Sequence, residues 1–206
     1  HWIGPAPFTD YLKGYYHPGN WRKRLDYGTG TFGDMGCHIY DPVFKALDLT
    51  SPLSLKSIGP KPNKHNWAIN AEIRYTFPGN KFSAGKTVDV TWYDGDKRPP
   101  KDIQGLLEGK RIPSQGSIFI GTNGVMLLPH IGNPELFPKA TFADFKRPEL
   151  PKINHWDQWV EACKGNGTPG ANFEYAGPLT ETVLLGGVAT RFPGKELKWD
   201  TKKLKF

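Results

Sequence analysis

The clearest pattern in the sequence is an alternation of apolar and polar residues over Trp67–Phe77. A period of two residues is typical of a β-strand that buries one face. A shorter alternation predicts a second strand over Thr87–Asp94, and the Pro78-Gly79-Asn80 turn between them favours antiparallel pairing. The apolar members of the first strand are expected to pack against helices: Trp67, Ile69, Ala71, Ile73, Tyr75 and Phe77.

Other segments carry weaker strand signals. Ser117–Gly121 and Val125–Leu128 flank Thr122-Asn123-Gly124, a sequence that favours a hairpin. Residues 53–58 and 196–199 predict two further short strands. The polar stretch 95–115, which precedes the predicted hairpin, predicts one helical turn near Ile103–Leu107.

Three segments show the apolar spacing of a helix. The first covers residues 31–48. The second places Trp156, Trp159, Val160 and Cys163 on one stripe, with Asn154 as its N-cap. The third is expected to begin in the turn that contains Pro178 and to run to about Thr190. A helix, a run of strands, two helices and a final strand predict an α+β fold: one domain over residues 1–206, with an open, largely antiparallel mixed sheet and helices on one face.

Composition narrows the function classes. The net charge of +7 comes from scattered Lys and Arg residues, which indicates a solvated surface rather than a nucleic-acid interface. No apolar run is long enough for a membrane span. Cys37 and Cys163 lie far apart, so neither a disulfide framework nor a cysteine zinc site is expected.

Gly28–Gly33 satisfies the G-x-G-x-x-G pattern of dinucleotide-binding loops. That mechanism requires a buried strand directly before the loop, whereas the preceding Trp21–Tyr27 is basic. The alternative is a glycine-rich entry that lets backbone approach a ligand or another domain closely.

Asp34, His38 and Asp41 form the candidate chemical constellation. At helical spacing they fall within about 60° of one another, over about 10 Å of helix. An anionic Asp34 beside His38 can orient the imidazole and stabilise its protonated form, as a general base that deprotonates an alcohol requires. One alternative is an exposed polar helix face, but Gly33 and Gly36 open space around Asp34, which such a face does not need. Another alternative is a metal site formed by Asp34 and His38, but no convincing third ligand is present.

Several segments resemble the glucose-fructose oxidoreductase/inositol dehydrogenase/MocA (Gfo/Idh/MocA) family, and its large bacterial branch of sugar dehydrogenases in particular. The resemblance extends over nearly the whole chain. It is carried by residues 4–7, 16–22, 26–30, 33–41, 121–126, 155–159 and 179–186.

The resemblance implies that this chain is the C-terminal domain of such a protein. Family members begin with a Rossmann domain that binds NAD or NADP and carries a Glu-Lys-Pro motif, which does not occur here. The Rossmann half is therefore expected as a missing partner, and no cofactor is expected on this chain. The resemblance makes His38 the proton acceptor from a sugar hydroxyl and Asp34 its partner or a substrate ligand. Asp41 matches the motif's trailing acid and is expected to bind the substrate.

The polar and aromatic loop before the helix is expected to line the rim of the site and to bind the polyhydroxylated substrate. Its candidate residues are His17, Asn20, Trp21 and Arg22. The sequence thus favours the substrate-binding and catalytic half of an NAD(P)-dependent oxidoreductase that acts on a sugar, polyol or derivative. An NAD-dependent glycosidase is one alternative. The other is a non-enzymatic sugar-binding or assembly module that uses Trp2, Trp21, Trp67 or Trp92, although the strand positions of the last two favour packing.

The remaining face of the sheet predicts an assembly. Glu72, Arg74 and Thr76 alternate with the core residues and leave a mixed polar surface. Such a surface can pair with its own copy about a two-fold axis, and the family resemblance implies the same pairing. A homodimer or higher even oligomer through the sheet is therefore expected.

Overall fold

A computed structural model describes residues 4–17 and 19–206; Trp2 and Pro18 lie outside these ranges. A short 3₁₀ helix, Asn20–Lys23, precedes the first α-helix. The α-helices are α1 (Gly30–Ala46), α2 (Lys101–Gly105), α3 (His155–Cys163) and α4 (Phe173–Ala189). The strands are β1 (Ser54–Ser57), β2 (Glu72–Pro78), β3 (Thr87–Tyr93), β4 (Gly116–Ile120), β5 (Val125–Pro129), β6 (Glu135–Phe137) and β7 (Glu196–Lys198).

The strands form two sheets. One has the order β3-β2-β1-β7 and the other has the order β4-β5-β6. Every neighbouring pair of these named strands is antiparallel. The α+β class with open antiparallel sheets is confirmed, but the expected single mixed sheet is instead divided into two antiparallel sheets.

Helices α1 and α4 pack against each other, and their buried side chains share one core with the four-stranded sheet. Ile73, Tyr75 and Phe77 of β2 lie in that core, as their alternation predicts. A smaller core, formed by Leu107, Val125, Leu127 and Phe137, lies under the three-stranded sheet.

The strand expected over Trp67–Phe77 is shorter in the structure. Asn70 has a φ of 66°, in the left-handed region, and β2 begins only at Glu72. A strand cannot continue through that backbone conformation. As a result Ile69 is 57% exposed instead of buried, and Trp67 is only partly buried.

Two helices differ from expectation. Helix α4 begins at Phe173, where the Asn172 side chain accepts a hydrogen bond from the Tyr175 amide, so Pro178 lies inside the helix rather than in its first turn. Asn154 caps α3 as predicted, but the apolar stripe of α3 is open to solvent, with Trp156 77% and Trp159 62% exposed. None of the helices in the described ranges combines the length and the apolar character of a membrane span.

Candidate active site

Helix α1 has one apolar side, which lies in the core, and one polar side, which is open to solvent. Phe32, Ile39 and Val43 are buried in the core, whereas Asp34 is partly buried and His38 is exposed. The helix begins at Gly30, whose φ of 76° favours glycine and whose missing side chain leaves room for the Trp67 ring. Its packing therefore fixes which face presents Asp34 and His38 to solvent.

Asp34 is held by Arg22 from the 3₁₀ helix. Arg22 Nη1 lies 3.2 Å from Asp34 Oδ2, and both side chains are partly open to solvent. The Arg22 guanidinium also lies 5.3 Å from the centre of the Trp21 ring. Within the described ranges, no hydrogen bond joins Asp34 to His38. Two of the candidate site residues, Arg22 and Asp34, thus lie together in the structure. The Asp34 carboxylate contacts the Arg22 guanidinium rather than the His38 imidazole.

The 3₁₀ helix is tied to the body of the domain through its backbone. The Trp67 amide donates to the Lys23 carbonyl at 2.8 Å, and the Leu25 amide donates to the His65 carbonyl at 3.0 Å. The Trp67 indole donates to the Gly28 carbonyl at 2.6 Å. These bonds place Arg22 beside α1.

The other expected rim residues have different surroundings. Trp21 is 44% exposed, and His17 is exposed. The Asn20 side-chain nitrogen Nδ2 donates to the Gly14 carbonyl, and the side-chain oxygen accepts from Lys23 Nζ, so Asn20 stabilises its own loop. Among the described residues, neither His17 nor Asn20 forms a hydrogen bond to α1.

Asp41 of α1 forms hydrogen bonds with α4. The Tyr175 hydroxyl of α4 donates to the Asp41 carboxylate and also to its backbone carbonyl. Burial, reinforced by the hydrogen bond to Asp41, raises the pKa of Tyr175 well above its usual value. Tyr175 therefore remains a neutral donor, and Asp41 links α1 to α4.

His38 has a neighbour that the sequence did not indicate. The ring of His130, the residue that follows β5, has its centroid 6.0 Å from that of His38, and the two planes cross at 63°. His130 is exposed, as is His38. No local motif marked His130, because it is brought there by the contact of β4, the neighbour of β5, with α1.

Comparison with known families places these observations in context. Residues 1–95 match the family model GFO_IDH_MocA_C2, described as "Oxidoreductase family, C-terminal alpha/beta domain". This stretch is therefore similar to part of the C-terminal domain of Gfo/Idh/MocA oxidoreductases. The match includes α1 with Asp34 and His38 and ends just after β3. No curated protein matches the chain.

In the structure, the glycines of the Gly28–Gly33 motif face protein atoms. A Cβ on Gly28 would overlap the Arg22 backbone, and a Cβ on Gly33 would overlap the Thr29 side chain. The space beside the Cα atoms of these glycines is therefore filled by the domain itself. The motif therefore serves close packing, and its residues do not fit a dinucleotide.

The domain also contains a cleft of about 1090 Å³ between β3 and β4. Thr31, Met35 and Ile39 of α1 line it, whereas Asp34, His38 and Asp41 do not. The lining of the cleft therefore does not include the candidate base. The described ranges contain no group of three or more His, Cys, Asp or Glu side chains that could hold a metal ion.

Proposed function

We propose that this domain is the substrate-binding and catalytic half of an NAD(P)-dependent oxidoreductase that acts on a sugar, a polyol or a derivative. The observation that carries the proposal is the position of His38. It is exposed on α1, on the same side as the Arg22–Asp34 ion pair, and within the residues that match the oxidoreductase family. The proposal treats the 206 residues as one domain, with NAD or NADP held by a separate Rossmann domain.

In this proposal, His38 accepts the proton of the substrate hydroxyl as the carbon–hydrogen bond of the same carbinol breaks. Removal of that proton and of a hydride converts the alcohol to a carbonyl, and the nicotinamide ring supplies the hydride acceptor. Imidazole suits the proton transfer because it changes protonation state near neutral pH.

Arg22 and Asp34 supply the polar rim of the site. The guanidinium is a donor, and the carboxylate is an acceptor with free lone pairs besides those used by Arg22. A sugar hydroxyl is both donor and acceptor, so the pair can bind one or two of them. Trp21, which is partly exposed beside Arg22, offers an apolar surface for a sugar ring.

The test is His38→Ala in a protein that joins this chain to its dinucleotide-binding half. We expect kcat to fall by about 10²- to 10⁴-fold while KM changes little, because a general base acts in the transition state. Steady-state reduction of NAD⁺ or NADP⁺ with a panel of sugars and polyols measures both constants. His65→Ala, which removes another exposed imidazole, is the matched control.

An unchanged kcat in His38→Ala would contradict the general-base role. The same assay separates the glycosidase alternative by its products. If an aryl glycoside releases its phenol without net formation of reduced nicotinamide, the protein acts as a glycosidase and not as a dehydrogenase.

A further inference from the structure

The position of His130 beside His38 is fixed by two contacts of the three-stranded sheet. The His130 amide donates to the Gln115 carbonyl at 3.0 Å, which continues the pairing of β4 and β5. The Ser117 hydroxyl of β4 donates to the Ile39 carbonyl of α1 at 3.3 Å. The end of β5 is therefore anchored, through β4, to the helix turn that carries His38, and the two imidazoles lie edge to face with their centroids 6.0 Å apart.

The two rings lie close enough together to contact the same ligand. With ring centroids 6.0 Å apart, the two imidazoles form no hydrogen bond to each other among the described contacts. A hydrogen bond from each ring to an oxygen spans about 2.8 Å. Two oxygens on adjacent carbons can therefore each contact one ring. A neutral imidazole offers one donor and one acceptor, which matches a hydroxyl.

We propose that His130 binds the hydroxyl adjacent to the one that His38 deprotonates, so that the substrate carries a vicinal diol at the reacting position. This inference rests on the proposed function. A metal bridge between the two rings is the competing use of such a pair, but no third ligand of the His, Cys, Asp or Glu type lies with them in the described part of the chain. Two exposed imidazoles alone make a weak metal site.

A binding experiment on the full chain tests the inference without turnover. The ring signals of the histidines are followed by NMR while myo-inositol, D-glucose, N-acetyl-D-glucosamine or cyclohexanol is added. We expect the His38 and His130 signals to move together with at least one of the three polyhydroxylated compounds. His130→Ala should then weaken its binding about tenfold, since it removes one hydrogen bond between protein and ligand.

Controls separate binding from structure. Cyclohexanol has one hydroxyl, and its effect on His38 should be the same in wild type and His130→Ala. His65→Ala should bind every compound as wild type does, and unchanged thermal unfolding of His130→Ala would show that the fold is intact. The same variant can be assayed in a protein that joins this chain to a dinucleotide-binding domain. There, His130→Ala should raise KM for the polyhydroxylated compound that binds. It should leave KM unchanged for an analogue of that compound that lacks the hydroxyl next to the reacting one.

The outcomes distinguish this inference from the proposed function. If a polyhydroxylated compound moves the His38 signal with equal affinity in wild type and His130→Ala, the role of His130 is wrong and the proposed function stands. If none of these compounds moves the His38 signal, the proposed function is wrong and the role of His130 falls with it.

Discussion

Asp94, directly after β3, is a carboxylate that the fold buries. It is 7% exposed, and it accepts hydrogen bonds from the Ala71 amide at 2.7 Å and from the Trp92 indole at 3.0 Å. Burial raises the pKa of Asp94, and these hydrogen bonds oppose the rise only in part. The folded chain therefore holds a proton on Asp94 at pH values where the unfolded chain has already lost it.

This shift predicts a pH dependence of stability. Between the unfolded pKa of about 3.9 and the raised folded value, the native state binds more protons, so the free energy of unfolding decreases as pH rises. The contribution is fully present below the unfolded pKa and is lost as pH rises through the folded pKa. Asp94→Asn removes this titration. Urea denaturation across the acidic range should show wild type losing stability relative to Asp94→Asn as pH rises, and a constant difference would contradict the prediction.

At the residue level, the sequence predicted only what local spacing encodes. The i, i+4 spacing of Asp34 and His38 placed both on one helix side. The bond from Arg22 to Asp34 depends on how the preceding loop packs, which spacing does not reveal. His130 carried no signal, because its neighbour lies far away in sequence on a different element.

At the element scale, α1 and α4 approach each other through glycines. A Cβ on Gly36 of α1 would lie 3.1 Å from a methyl group of Val183 on α4. A Cβ on Gly186 of α4 would overlap the Tyr75 hydroxyl of β2 and the Phe32 ring of α1. The Tyr75 hydroxyl itself donates to the Thr182 carbonyl, one turn earlier in α4.

Gly186→Ala and Gly187→Ala form a matched pair on this helix. Gly186→Ala should lower the free energy of unfolding by about 1–3 kcal/mol, because the methyl group overpacks the core. At Gly187 the added Cβ would be 3.6 Å from the Trp67 ring, an ordinary contact. Gly187→Ala should therefore raise stability by up to about 1 kcal/mol, because alanine favours the helix. Urea unfolding of both variants measures this, and equal effects would contradict the packing argument.

Most elements were predictable from periodicity and turn residues, including the short strands β1 and β7, whereas β6 was not. The β4–β5 hairpin and helix α1 appear close to their expected bounds, since turn chemistry and apolar spacing both encode them. Strand β6 has three residues, too few for a period to show. The start of α4 was misplaced because Pro178 is typical of a first turn, whereas Asn172 is the residue that caps the helix.

At the scale of the whole molecule, the face of the four-stranded sheet away from α1 and α4 is polar. Arg74 contacts Glu72 at 2.8 Å, and the Thr76 hydroxyl donates to Asp89 at 2.9 Å. Arg74 and Glu72 pair within β2, and Thr76 of β2 pairs with Asp89 of β3, so the polar groups of this face form hydrogen bonds with one another. We propose that this polar face pairs with its own copy as a homodimer.

Charge reversal tests the pairing. Arg74→Glu places a second acidic side chain beside Glu72 in each copy, so a two-fold contact would bring like charges together. We expect the variant to be monomeric at concentrations where wild type is dimeric, as measured by sedimentation velocity. Lys164→Glu, at the end of α3 and outside the sheet, makes the same charge change and should leave the dimer intact. A wild-type chain that stays monomeric at high micromolar concentration would contradict the proposal.

The cleft between β3 and β4 also bears on how the protein avoids aggregation. The unpaired edges of β3 and β4 are the long ones of the two sheets, and both line the same recess. The opposite edges, β6 and β7, have three residues each. A foreign strand would have to enter the recess to reach the long edges and would find few backbone groups on the short ones. The fold thus discourages the open-ended strand-to-strand growth that leads to fibres.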